Sequence, residues 1–286
     1  MNDAAPSELL SGTFLVAAPH FDDEVLGCGG LLAMLPDKAR IHVVYATSGT
    51  GSENLLMPGV RVDPALDMGR IRREESLAAL HALGVPPENA TFLGVRDYAV
   101  LQNADRVRAA LAALVDRIKP DWVLAPFRLD RHTDHVALNR IVRSVLTARG
   151  ESPPLSPAGR APRLLEYFIY YRWKLLPGGD VRAVCRPAYK FAFDISGVRD
   201  VKRRALACFA SQTTRYQAWQ TRPVLSEELL DELSNGPEIY LYPPAGMPDA
   251  ALFTVGLTRL RLIHWLEPRL KVKKDRLLFL LRRQRR

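Results

Sequence analysis

The stretch Thr13–Glu24, TFLVAAPHFDDE, decides the fold, because an apolar run passes directly into a histidine and a cluster of acidic residues. Its first part, Thr13–Pro19, is short and almost continuously apolar, which is typical of a strand buried on both faces of a parallel sheet. The polar residues after Pro19 therefore fall at the carboxyl end of this strand. Open α/β sheets bind their ligands at that edge.

Three later segments have the same strand-like appearance: Ile41–Thr47, Ala90–Leu93 and Asp121–Phe127. Around these segments, apolar residues recur at intervals of three or four, which predicts amphipathic helices within 71–83, 107–118 and 136–145. Strands that alternate with helices predict an α/β fold with a Rossmann-like, doubly wound and mostly parallel sheet.

We expect one domain over residues 1–258, made of a core at 13–150 and a C-terminal elaboration at 164–258. The segment between these parts, Glu151–Arg163, contains four prolines, which predicts a surface connection. The elaboration has too few periodic segments to form a second domain, so we expect it to extend the first sheet. Its predicted elements are a strand at Leu164–Tyr171 and a helix at Val198–Phe209.

Composition narrows the class of protein and its compartment. The 286 residues are 48% hydrophobic and 25% charged, which excludes collagen-like and disordered proteins. The three cysteines are far apart and form no CxxC pair, so neither a disulfide framework nor a cysteine zinc site is predicted. The sequence has no secretory signal pattern and no run of about 18 apolar residues. We therefore expect a cytoplasmic protein that does not cross a membrane.

The net charge of +9 is concentrated at the C-terminus. Residues 259–286 contain eleven Lys/Arg against two acidic residues, so the first 258 residues are neutral overall. This basic tail fits amphipathic helices that rest peripherally on an anionic membrane. It fits equally well a terminal helix docked on the core with a solvated basic end. Nucleic acid is not a predicted partner, because no nucleic-acid motif accompanies the basic residues.

A second polar motif, His132-Thr133-Asp134-His135, follows the strand at Asp121–Phe127. Either polar motif alone is typical of surface or helix-capping sequence, but two of them at strand ends predict one shared site. Two imidazoles and one carboxylate make a catalytic zinc site that leaves a position open for water. We therefore predict His20, Asp23 and His135 as zinc ligands. The same donor set also fits Fe²⁺, as in non-haem oxygenases.

The remaining polar side chains of the two motifs suggest catalytic roles. Asp22, next to a predicted ligand, is suited to act as the general base that takes a proton from water. We expect Asp134 to hold its neighbour His132 as an imidazolium, which would stabilise an oxyanion or protonate a leaving amine. The alternative for His132 is a hydrogen bond that orients a metal ligand.

The sequence resembles the PIG-L/LmbE-like superfamily of zinc-dependent N-deacetylases, whose pattern is HPDDE at a strand end followed much later by HxDH. Five motifs occur in order between residue 13 and about residue 212. Beyond the two already described, the resemblance rests on Arg72, Glu75, Ala79 and Leu83-Gly84, on Phe92-Leu93-Gly94 with Arg96-Asp97, on Asp130 before HTDH, and on Lys202 with Ser211-Gln212. One residue departs from the pattern, since Phe21 replaces the usual proline and is expected to shift Asp22 or to form an apolar wall.

The resemblance implies hydrolysis of an N-acetyl group from an amino sugar, commonly N-acetylglucosamine linked to inositol, malate or a lipid. It implies that Asp22 is the general base and His132 the oxyanion-stabilising acid. It also implies that Arg72 and Asp97 bind the sugar and that zinc is held by His20, Asp23 and His135. For Arg72, a surface ion pair with Glu75 on the same helix is the alternative. A related amidase that cleaves a larger amide also fits the motifs. If the tail binds a membrane, a glycolipid substrate is expected.

Overall fold

The computed structural model describes residues 12–51, 67–150, 161–217, 220, 222–244 and 246–267. In these residues seven strands form one sheet in the order β3-β2-β1-β4-β5-β7-β6. The strands are β1 (Phe14–Ala18), β2 (Ile41–Thr47), β3 (Ala90–Val95), β4 (Trp122–Pro126), β5 (Arg163–Tyr167), β6 (Lys190–Phe193) and β7 (Glu238–Leu241).

Strands β1 to β5 pair in parallel, whereas β7 pairs antiparallel with both β5 and β6. The predicted doubly wound, mostly parallel α/β fold is confirmed. The chain leaves β1 toward β2 on one side and later returns to place β4 on the other. The carboxyl ends of β1 and β4 therefore form the switch point of the sheet, where ligands of open α/β folds bind.

Helices cover both faces of the sheet, which explains why its central strands are apolar without alternation. On β1, Phe14, Val16 and Ala18 pack into one apolar cluster, while Leu15 and Ala17 pack into another. The helices are α1 (Asp23–Met34), α2 (Met68–Ala82), α3 (Ala104–Ile118), α4 (Thr133–Gly150), α5 (Arg199–Ala207), α6 (Ala210–Thr213), α7 (Glu227–Asn235) and α8, which is described over 257–267.

Helix α1 begins at the predicted site and packs unusually close to the sheet. A Cβ added at Gly27 would lie 2.3 Å from the Tyr167 ring, so the glycine is required by this close approach. The next turn is fixed by Glu238 of β7, which accepts hydrogen bonds from the Gly30 amide at 2.6 Å and from the buried Lys202 ammonium at 2.7 Å. The C-terminal strands and α5 thus anchor the helix that carries the first polar motif.

The C-terminal helix α8 is amphipathic and docked on the core. Leu260 and Ile263 are buried, while Leu262 and Trp265 on the opposite face are 54% and 52% exposed. The structure therefore places part of the predicted tail against the body of the protein, and the predicted boundary at residue 258 falls inside this packed helix. Residues 268–286, with most of the tail charge, and 151–160 of the proline-rich connection lie outside the described residues. None of the described helices is both long and apolar enough to span a membrane.

Candidate active site

The turn between β1 and α1 has a backbone conformation that is rare for a residue with a side chain. Asp22 has φ 133°, outside the main allowed regions for non-glycine residues. Its amide donates to the Glu24 carboxylate at 3.2 Å. The Phe21 carbonyl accepts from the Arg72 guanidinium at 2.7 Å. Strained backbone of this kind persists only where the surroundings hold it, and it concentrates at functional sites.

Three side-chain atoms from the two polar motifs form a compact triangle. His20 Nδ1 lies 3.0 Å from Asp23 Oδ2, which lies 3.2 Å from His135 Nε2, and the two ring nitrogens are 3.3 Å apart. A tetrahedral zinc ion with bonds of about 2 Å separates its ligand atoms by about 3.3 Å. The donor set and its spacing therefore fit a divalent metal. His132 also belongs to the imidazole cluster, in which the ligand atoms of all three histidines lie within 4.8 Å of one another.

Each imidazole of the triangle has a carboxylate behind it. Asp134 Oδ2 lies 3.2 Å from His20 Nε2, and Asp130 Oδ1 lies 3.3 Å from His135 Nδ1. A carboxylate at one ring nitrogen fixes the proton there and leaves the lone pair on the other nitrogen. When the two rings are neutral, as metal binding requires, both lone pairs therefore face the centre of the triangle. This arrangement orients metal-binding histidines in proteins.

The position of Asp134 differs from the expectation that it holds His132 as an imidazolium. Its carboxylate accepts from the Tyr98 and Val100 amides at 2.6 and 3.1 Å and contacts His20. At the start of a helix, side chains two residues apart point to different sides, so Asp134 does not reach the ring of His132. Instead the Asp134 amide donates to His132 Nδ1 at 3.2 Å. Burial and the neighbouring imidazoles His20 and His135 lower the pKa of His132 to about 3. His132 is therefore neutral, with its proton on Nε2.

Asp22 is buried, and its pKa is suited to a general base. Burial raises its pKa to about 7, against the opposing effect of the Arg72 guanidinium. The guanidinium lies 3.3 Å from Asp22 Oδ2. A carboxyl group with a pKa near neutrality exchanges protons efficiently at physiological pH. Burial also acts to raise the pKa of Asp23. The neighbouring His135 and His20 outweigh this effect and hold the pKa well below its usual range.

Arg72 and Asp97, the predicted sugar-binding residues, lie beneath the site, each with a side chain only 2% exposed. Arg72 bonds to Asp22 and to the Phe21 and Gly49 carbonyls. Asp97 accepts from the Gly49 and Gly51 amides at 2.9 Å each. Both side chains thus brace the loops around Asp22, and their direct contact with a sugar stays a prediction.

The alternative surface pair of Arg72 with Glu75 is wrong. The Glu75 carboxylate instead accepts from the amide and the hydroxyl of Ser211, at 2.7 and 2.6 Å. The apolar wall considered for Phe21 is also not observed. Its ring is turned into the core against Tyr45 and Phe92, at centroid distances of 5.1 and 5.5 Å.

Two residues of the site were given no role from sequence. Asp130 is buried, accepts from the His132 amide at 2.8 Å and the Tyr170 amide at 3.2 Å, and backs His135. The sequence signal that could have pointed to Asp130 is its position just before the HTDH motif. Tyr98 places its ring 4.9 Å from that of His132 and is 41% exposed. No sequence pattern pointed to it, since the contact joins the loop after β3 to the start of α4.

Comparison with known proteins agrees with this fold. A family model described as PIG-L, GlcNAc-PI de-N-acetylase, matches residues 15–146. The 2'-N-acetylparomamine deacetylase of Streptomyces fradiae is 31% identical over 222 residues, which cover 72% of this chain and 75% of that protein. A 1D-myo-inositol 2-acetamido-2-deoxy-alpha-D-glucopyranoside deacetylase of Rhodococcus jostii is 26% identical over 237 residues, covering 70% of this chain and 81% of that protein.

Among solved structures, the N,N'-diacetylchitobiose deacetylase of Pyrococcus horikoshii has the same fold. Its TM-score is 0.53 at 19% identity, with 81% of this chain and 85% of that chain covered. The sheet and the cluster at its switch point define an α/β protein with a candidate metal-assisted hydrolytic centre. The chain belongs to the PIG-L family, given its similarity to the Streptomyces fradiae protein. The family resemblance seen in the sequence motifs is confirmed.

Proposed function

We propose that this protein hydrolyses the N-acetyl amide of an amino sugar, releasing acetate and a free amine. The observation that carries the proposal is the triangle of His20, Asp23 and His135, with a carboxylate behind each imidazole and Asp22 beside it. The similar proteins from Streptomyces fradiae and Rhodococcus jostii are deacetylases of acetylated amino sugars by their names, which supports this substrate class.

His20, Asp23 and His135 would hold a divalent ion, which we propose to be zinc because two imidazoles and one carboxylate are a common catalytic zinc set. When bound, the ion would polarise the acetyl carbonyl and lower the pKa of a water molecule to about 7. Fe²⁺ is accommodated by the same donors. A two-histidine, one-carboxylate oxygenase is therefore the second candidate, and oxygen consumption that depends on ferrous iron would favour it.

Asp22 and His132 would perform the proton transfer and the charge stabilisation. Asp22 takes a proton from the attacking water, whose oxygen forms a bond to the acetyl carbon. His132, neutral with Nε2–H as donor, stabilises the oxyanion that develops on the carbonyl oxygen. The C–N bond then breaks, and Asp22 delivers its proton to the leaving amine. Arg72 keeps Asp22 in place, and Asp134 acts through His20.

Substitution of the base tests this mechanism. Asp22→Asn should lower kcat by at least about 100-fold, because the amide cannot accept the proton, while zinc content stays at the wild-type level. Asp105→Asn, at a carboxylate whose side chain is 97% exposed, is the matched control and should be silent. Turnover by Asp22→Asn at the wild-type rate contradicts the mechanism.

Mass spectrometry of products from N-acetylglucosamine conjugates identifies the reaction, and a mass loss larger than acetyl favours the amidase alternative.

We also propose a cytoplasmic protein that contacts anionic membranes through α8 and the residues after it, with a lipid-linked amino sugar as substrate. The outer face of α8 combines Leu262 and Trp265 with the exposed Arg261, and the sequence beyond it is strongly basic. A chain ending at Glu267 should bind vesicles containing phosphatidylserine more weakly than the full chain. A further Leu262→Ser/Trp265→Ser change should abolish the remaining binding. Equal sedimentation of all three proteins with vesicles contradicts the proposal.

A further inference from the structure

The loop after β3 is fixed to the candidate active site by its backbone. The amides of Tyr98 and Val100 donate to the two oxygens of Asp134, at 2.6 and 3.1 Å. The same carboxylate contacts His20 Nε2 at 3.2 Å. Tyr98 is thus positioned relative to the proposed metal ligands by main-chain bonds that do not depend on its side chain.

Tyr98 adopts a conformation that bulky residues avoid. Its φ of 66° lies in the left-handed region, which asparagine, aspartate and glycine adopt far more readily. The ring is 41% exposed, so burial of the side chain recovers only part of this cost. Leu101, three residues later, is 57% exposed. A strained, exposed aromatic residue beside an active site is a candidate for ligand contact.

Tyr98 lies next to a partly accessible residue of the site. Asp22, Asp23 and His135 are 5%, 2% and 0% exposed, whereas His20 and His132 are partly accessible. The Tyr98 ring lies 4.9 Å from that of His132, tilted by 35°. The exposed Tyr98 ring therefore adjoins one of the two partly accessible side chains of the site.

We propose that Tyr98 determines specificity by packing its ring against the apolar C–H face of the substrate sugar, which holds the acetamido group at His132. This inference rests on the proposed function, because it takes an amino sugar as the substrate. Pyranose rings present a face of C–H groups, and an accessible aromatic ring beside polar groups is a common way to orient a ligand.

Two substitutions at this position separate the ring from the backbone. Tyr98→Asn removes the ring but retains a residue that tolerates the left-handed conformation and the amide that Asp134 accepts from. Tyr98→Phe keeps the ring. Tyr216→Asn, at a tyrosine that is 39% exposed after α6, is the matched control. Activity is compared on methyl N-acetylglucosaminide and on N-acetylethanolamine, which has an acetamide but no sugar ring.

Tyr98→Asn should raise KM for the glucosaminide roughly tenfold with kcat nearly unchanged, because ring contacts contribute to binding. Tyr98→Phe and Tyr216→Asn should resemble the wild type, and kcat/KM for N-acetylethanolamine should be the same in all four proteins. An unchanged KM in Tyr98→Asn overturns the inference. Equal losses on both substrates also overturn it, since they indicate a structural role for the side chain.

Failure of the proposed function gives a different result. If the zinc-loaded wild type hydrolyses neither substrate, the deacetylase proposal fails. Binding of the glucosaminide, measured by saturation-transfer NMR on the same proteins, then still tests Tyr98. Weaker binding in Tyr98→Asn alone supports the sugar contact, and equal binding in all four proteins rejects it.

Discussion

Asp134 Oδ2 lies 3.2 Å from Nε2 of His20, a residue 114 positions away, and not on the ring of its near neighbour His132. The contact places the His20 proton on Nε2 and leaves Nδ1 facing Asp23 and His135. Asp134 therefore joins the two polar motifs. We therefore expect Asp134 to affect metal binding directly and the rate of catalysis only through the bound metal.

Loss of the Asp134 charge should weaken metal binding. In Asp134→Asn, one amide oxygen must serve the donors that now share two carboxylate oxygens, namely the Tyr98 and Val100 amides and His20. We expect a 10- to 100-fold decrease in zinc affinity, the range for removal of a group that orients a ligand. Competition with a chromophoric chelator measures it, with Asp105→Asn as the control. Wild-type affinity in Asp134→Asn would show that His20 is oriented by other contacts.

Zinc affinity should increase as the pH rises. Although burial opposes it, Asp134 and Asp23 raise the pKa of His20 to about 9 in the metal-free protein. Although burial opposes it, Asp23 and Asp130 also raise the pKa of His135 well above its usual value. Below the pKa of each ring the ion must displace its proton, so zinc affinity should rise with pH across the neutral range by up to about 100-fold per unit. Chelator competition between pH 6.5 and 9.5 gives the slope, and calorimetry in buffers of different ionisation enthalpy counts the released protons. An affinity that is flat across this range contradicts the expectation.

The buried pair of Lys202 and Glu238 should be a major contributor to stability. Lys202 Nζ lies 2.7 Å from Glu238 Oε1, and both side chains are almost fully buried. Lys202→Met leaves the Glu238 carboxylate without its counter-charge and should lower the free energy of unfolding by about 3–5 kcal/mol. Urea denaturation measures the change. Arg70→Ala, which removes an exposed pair with Glu74, should leave the free energy of unfolding nearly unchanged. Similar effects of the two substitutions would show that the buried pair contributes little.

Because α1 lies very close to the sheet, alanine should be tolerated much less well at Gly27 than at Gly197. In Gly27→Ala the added methyl group would lie 2.3 Å from the Tyr167 ring, so the helix or the ring must move. We expect a loss of about 1–3 kcal/mol in the free energy of unfolding, together with weaker zinc binding because α1 begins at Asp23. A Cβ at Gly197 has no neighbour within 4 Å, so Gly197→Ala should change neither quantity. Thermal and urea unfolding of the two variants provide the comparison.

The sequence predicted the parts of the fold that depend on local pattern. The apolar runs at β1 and β4 and the helical spacing in α3 identified a doubly wound sheet, and the ends of these strands located both polar motifs. Pairing β1 with β4 then brings the motifs together, because neighbouring parallel strands end at one edge. His20, Asp23 and His135 were found in this way.

The partners of these residues were not predictable, because they depend on side-chain direction and on loop packing. Asp134 was assigned to its neighbour in sequence, but the start of α4 points it toward His20. Tyr98 reaches His132 only because the loop after β3 packs against α4. Arg72 lies in a polar stretch of α2, yet it is buried under Asp22, where hydrogen bonds to backbone carbonyls offset the cost of burying its charge.

Helix α8 connects the last described residues directly to the site. His264 Nε2 donates to the Asp130 carbonyl at 2.7 Å, and Glu267 lies 3.4 Å from the Arg131 guanidinium, on the loop that carries Asp130 and His132. A premature stop codon at residue 257, where α8 begins, would therefore leave the sheet strands, both polar motifs and the triangle in the translated product, but it would remove the support of their loop. Such an allele should behave genetically like an active-site mutation, although every catalytic codon is intact.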